Sequence, residues 1–161
     1  MTHPGSGPRR TPVSVALPGL VPVLLSALLA SACATPAFDR GAYLQDAKAA
    51  LESATSEART AELAASARLS GRATRAYADT VVTSSEKAMG PIQTSFGGVD
   101  PASRRDDALR DTVLGVLGDT EDTLAQARIA VRRDDRPMLE RARVELAELG
   151  QRLQDTRDAL P

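Results

Sequence analysis

The sequence predicts an all-α protein: an elongated antiparallel bundle of three helices, the first of them long. Three observations carry that expectation. Beyond residue 39, apolar residues recur at alternating spacings of three and four, which marks one face of a helix. Only two stretches interrupt the pattern, residues 90–103 and residues 132–137. No segment alternates polar and apolar residues as a half-buried strand does. A long helical hairpin kinked at Pro137 is the alternative that the same pattern allows.

The first helix is expected from about Asp39 to Met89, roughly 75 Å at 1.5 Å per residue. Leu44, Ala47, Leu51, Ala54, Ala58, Ala61 and Ala65 form a heptad stripe along it. The small residues of that stripe admit a close partner helix. The phase slips at Arg68 and resumes at Leu69, Ala73, Ala76, Tyr77 and Val81, in the manner of a stutter. Gly71 beside the slip marks a kink in one helix or, alternatively, a hinge between two.

Residues 90–103, GPIQTSFGGVDPAS, hold three glycines and two prolines, and these end the helical pattern. Asp100 then suits a helix cap and Pro101 the first turn of a second helix. Its apolar face is Leu109, Val113, Val116, Leu117, Leu124, Ala127 and Val131, with Gly115 and Gly118 weakening its first half. Arg132 and Arg133 suit the end of that helix, and Asp134 and Asp135 the start of the next. Pro137 fits the first turn of the third helix. Leu139, Leu146, Leu153 and Leu160 then recur every seven residues, with Ala142 and Leu149 between them. Asp106–Arg110 and Glu148–Arg152 are spaced for ion pairs within a helix.

Charge and composition exclude several functions. Lys and Arg number 20 against 21 Asp and Glu, which is not the basic excess of a nucleic-acid binder. The only histidine is His3, so the helical part lacks the commonest general base and transition-metal ligand. A di-iron bundle would need Glu-x-x-His. The carboxylate pairs Asp106-Asp107, Glu121-Asp122 and Asp134-Asp135 read as solvated helix ends. Neither a nucleophile elbow nor a phosphate-binding loop is present. No enzyme activity, metal or cofactor is therefore expected. Apolar side chains are also sparse: Leu, Ile, Val and Phe make up 24 of the 129 residues from Cys33 onward. Stripes on so lean a chain call for a protein partner or self-association through helical faces. Ile92, Phe96 and Val99 are apolar residues in an otherwise turn-like segment, and form a possible contact loop.

The N-terminal segment speaks to location. Arg9 and Arg10 are followed by an almost wholly apolar run from Val13 to Ala30, then by the small residues Ser31 and Ala32. Basic, apolar, small is the order of a secretory signal peptide. Pro18, Gly19 and Pro22 interrupt the run, and no basic cluster follows it to stop transfer. Ala30-Ser31-Ala32-Cys33 contains the only cysteine of the chain and resembles the lipobox of bacterial lipoproteins, with Ala30 where that class prefers Leu. The resemblance implies diacylglycerol on the Cys33 thiol, cleavage before it, and acylation (palmitate, for example) of the new N-terminus. It divides the chain into a signal peptide at 1–32, a lipid-anchored tether at 33–38 and a helical bundle domain at 39–161. It places the protein on the extracytoplasmic face of the cell membrane. In a bacterium with two membranes, Ala34 after the cysteine suits passage to the outer one. The expected function is a non-enzymatic structural or partner-binding module of the bacterial envelope. A small-ligand-binding lipoprotein of a transport system is the alternative.

Overall fold

The computed structural model describes residues 39–161, so Cys33 and the proposed signal and tether lie outside the described residues. Among the described residues four helices follow one another: α1 Arg40–Leu69, α2 Arg75–Gly97, α3 Arg104–Arg133 and α4 Arg136–Asp158. There is no strand among the described residues. The architecture is all-α, but with four helices rather than three. Each helix packs on its neighbours in sequence, and α4 returns to pack on α1. Short connections make the order up-down-up-down. Hydrogen bonds at both ends agree: Lys48 at the start of α1 reaches the Pro161 carbonyl, and Arg136 reaches the Leu69 carbonyl.

The long first helix is overturned at residues 70–74. Gly71 has φ +76° and sits just past the end of α1. The Gly71 N–H donates to the Arg68 carbonyl and the Arg72 N–H to the Ala67 carbonyl. These are the two bonds of a Schellman cap, which glycine makes without steric cost. Thr74 then caps α2, its Oγ1 accepting from the Tyr77 N–H at 3.2 Å. The phase slip is therefore a helix boundary, not a stutter. The buried face of α2 consequently lies one residue later than the expected stripe, at Ala78, Val82, Ser85, Met89 and Phe96.

The expected break at residue 90 is also overturned. α2 runs through Gly90 and Pro91 to Gly97. Proline inside a helix removes one backbone bond and costs about 3 kcal/mol. Burial of Met89 before it and Phe96 after it offsets that cost. The connection proper is residues 98–103. α3 starts after Ser103, not at Asp100-Pro101. The turn between α3 and α4 is two residues: Asp134, left-handed at φ 54°, ends one helix, and the Asp135 carboxylate accepts from the Met138 N–H to cap the next.

α1 contributes mostly alanine to the core: Ala47, Ala54, Ala58, Ala61 and Ala65 are fully buried, with Leu51 and Tyr43. α4 supplies Leu139, Leu146, Leu149 and Leu153 and α3 supplies Val113, Leu117, Leu124 and Val131. Small residues on α1 let it meet α3 across the diagonal of the bundle, whereas α2 and α4 make no such contact. Neither helix-internal ion pair expected from spacing forms. Arg110 donates instead to the Gly97 carbonyl, and Arg152 lies 3.5 Å from Asp119.

Asp106 belongs to the diagonal. Its side chain is buried, and its oxygens accept from Ser103 Oγ at 2.7 Å and Arg40 Nε at 3.1 Å. The Ser103 hydroxyl and the Arg40 guanidinium hold its carboxyl below the ordinary aspartate range, against the opposing effect of burial. A carboxylate whose pKa is lowered by folding stabilises the fold above the unfolded pKa, about 3.9. That contribution is lost as pH falls through the lower folded value. Asp106→Asn should therefore melt below the wild type at pH 7. The gap should begin to narrow as pH drops below about 4, where the unfolded chain binds the proton, and close as pH passes the lower folded value. Thermal melts of both proteins across that range check it; a gap that does not change with pH would assign Asp106 a purely steric role.

Candidate functional site

Three of the four seams between neighbouring helices are laced by polar side chains. Between α1 and α4, Arg59 meets Gln154 and Arg143 meets Glu62 at 3.6 Å. Between α2 and α3, Glu86 takes a two-point bond from Arg128, Asp79 pairs with Arg132 at 2.9 Å, and Gln93 donates to Glu121 at 2.8 Å. Between α3 and α4, Arg152 faces Asp119. Among the described residues, no side-chain hydrogen bond or ion pair joins α1 to α2.

Small and hydroxyl residues predominate beside that seam, with Asp46 as a charged neighbour. On α1 the residues Ala49, Ser53, Ser56, Thr60, Leu63 and Ala67 follow the alternating four–three spacing on the side away from the buried alanines. On α2 the residues Tyr77, Val81, Ser84, Ala88, Pro91 and Ser95 do the same. Such spacing keeps each set on one side of its helix. Tyr77, 59 % exposed, belongs to the α2 set, whereas Leu63, 66 % exposed, lies on the outer side of α1 in a depression shared with Glu52, Arg59 and the α4 residues Gln154 and Arg157.

At one end of the seam a groove of about 280 Å³ opens between the helices. Ala49, Ala50 and Ser53 line it from α1 and Pro91, Ile92, Ser95 and Phe96 from α2, with Asp46 at its lip. Phe96 is 1 % exposed and its ring meets that of Tyr43 at a centroid distance of 5.4 Å. The Tyr43 hydroxyl is buried with no hydrogen-bond partner, and burial raises its pKa.

The contact loop expected from the sequence is thus redistributed. Ile92 and Phe96 lie within α2, not in a loop; Phe96 is core, and Ile92 is a half-buried wall of the groove. Val99 alone stays in the connection, half-buried against the core. Sequence reasoning missed Leu63 and the exposure of Tyr77, which it placed on a core-facing stripe. The described residues hold no cluster of His, Cys, Asp or Glu arranged for a metal ion, and none of their helices is long and apolar enough to cross a membrane.

No protein family, no curated protein and no solved structure matches this chain.

Proposed function

We propose that this chain is a lipid-anchored, extracytoplasmic helical module of the bacterial envelope that acts by binding protein rather than by catalysis. The observation that carries the binding reading is the exposure of two large apolar side chains, Leu63 on the outer side of α1 and Tyr77 at the start of α2. A surface helix facing only water is ordinarily charged, as α4 is with Glu140, Arg141, Glu145, Glu148 and Arg152 exposed. Large apolar side chains exposed to water on two helices have the chemistry of contact points. The lipobox-like stretch ending in Cys33 supports the anchor. The alternative, a small-ligand lipoprotein of a transport system, has its support in the groove alone.

Crosslinking in intact cells followed by purification from membranes tests the reading. The expected result is a discrete crosslinked protein species that Leu63→Glu and Tyr77→Asp remove together. Recovery of a transporter permease, unaffected by those two substitutions, would favour the alternative.

A further inference from the structure

We propose that the end of the bundle formed by the α1–α2 and α3–α4 connections is a cationic contact surface for an acidic segment of a different envelope protein. The inference rests on the protein-binding reading above and deepens it by naming the chemistry of the partner.

Charge is segregated in this chain. Residues 68–79 and 132–136 hold six arginines against three aspartates, whereas the other residues from 39 onward carry twelve basic and eighteen acidic side chains. The fold brings the two basic stretches to one end. Arg68 of α1 pairs with Asp134 of the α3–α4 turn at 2.7 Å, and Arg136 at the start of α4 donates to the Leu69 carbonyl. Arg75, Ala76 and Asp79 of α2 share a depression with Arg132 of α3. The three carboxylates at this end are all engaged: Asp134 with Arg68, Asp79 with Arg132, and Asp135 with the Met138 N–H. Arg72, Arg75, Arg133 and Arg136 are exposed and have no carboxylate partner among the described residues. Arg72 contacts only the Ser70 hydroxyl, at 3.0 Å. Arg75 is the first residue of α2, where the helix dipole disfavours a cation. The start of α3 also carries arginines, but there Asp106 and Asp107 follow in the first turn, and α2 has no such acid. Stability of the free bundle therefore does not account for this cluster.

The residue types define the partner. Every cation at this end is arginine, whose planar fork binds a carboxylate at two points. Tyr77, 59 % exposed, stands in the first turn of α2, two residues from Arg75. Arginine and tyrosine together are the residues enriched at protein interfaces and at their energetic centres. The chain enters the bundle at the other end, one α1 length of 30 residues or about 45 Å away. Copies anchored by the same tether carry like ends side by side, and equal charges repel. The cationic end is therefore matched to a different protein, not to a second copy.

The test uses the full chain in intact bacteria, with a benzophenone amino acid in place of Ala76, which is exposed beside Arg75. Irradiation should give a protein adduct, and peptide mapping should place the link in a partner segment with an excess of Asp and Glu. Arg72→Glu with Arg75→Glu should cut the adduct about tenfold or more, because like charges then face each other. Arg72→Lys with Arg75→Lys should retain most of it. Glutamate at the start of α2 suits that helix end, so the fold is kept. The matched control is Arg104→Glu with Arg105→Glu, the same charge change on exposed residues at the opposite end, and it should leave the adduct unchanged. An equal loss from that control, or no loss from the Arg72 and Arg75 pair, overturns the inference. So does an adduct on lipid, on glycan, on a second copy or on a protein segment without acidic excess. If position 76 gives no adduct while the species dependent on Leu63 and Tyr77 still forms, the inference falls and the protein-binding reading stands. If neither forms, both fall.

Discussion

Leu146→Ala should lower the melting temperature by about 10–20 °C. Leu146 is fully buried in the middle of α4, on the face that packs against the alanines of α1. Removing a buried leucine side chain beyond its Cβ costs about 2–5 kcal/mol, from lost transfer free energy and the cavity left behind. A domain of this size loses about 3–5 °C per kcal/mol. Relief by collapse is limited here, because the facing residues on α1 are already alanine and have no side chain to move into the gap. Leu153→Ala should behave alike. Leu160, half-buried beyond the end of α4, should matter less, and Ala147→Gln on the exposed side should leave the melt unchanged. The same proteins, melted by circular dichroism, check all four. A silent Leu146→Ala would mean that the α4 stripe is not the core of the bundle.

That stripe was legible because its chemistry is redundant. Four leucines at intervals of seven, a capping aspartate and a proline in the first turn all specify the same helix in the same phase. The structure buries Leu139, Leu146, Leu149 and Leu153 accordingly. α3 is similar: Val113, Val116, Leu117, Leu124, Ala127 and Val131 were all expected on the apolar face and are all buried. The inner stripe of α1 was readable too, from Ala47 to Ala65.

The failures occurred where alanine and glycine carry little directional information. Alanine is common on both the inner and outer sides of these helices, so Ala73 and Ala76 could seem to continue the stripe of α1 across residues 70–74. The Gly71 and Thr74 pair was the better guide, as an αL cap followed three residues later by a hydroxyl cap. Pro91 misled in the opposite direction. Local propensity places a break there, and only the long-range burial of Met89 and Phe96 keeps α2 going. The error bears on the site: reading 90–103 as a loop made Ile92 and Phe96 a contact loop, when they are the wall and floor of a groove. Leu63 and Tyr77 could not be assigned as exposed until the phase of each helix was known.

Cys33→Ser should abolish incorporation of fatty acid into the chain. The lipoprotein reading requires a thiol there, because the diacylglycerol is attached to sulfur and a serine hydroxyl is far less nucleophilic. Without that lipid the cut before residue 33 should also fail, so the variant should persist at precursor mass or be cut elsewhere. Membrane association alone is a poor readout, since an uncleaved apolar run from Val13 to Ala30 would itself hold the chain at the membrane. Label and mass are the discriminating measurements. In cells fed a clickable fatty acid, the wild type should carry label and a mass consistent with residues 33–161 plus acyl chains, and the variant neither. The physical need for more than one chain sets a further expectation. Burial yields about 0.8 kcal/mol per methylene, and a single chain binds a membrane only marginally. The wild-type mass should therefore show at least two acyl groups on residue 33, those of the thiol-linked diacylglycerol. Equal label on the two proteins would overturn the anchor at Cys33.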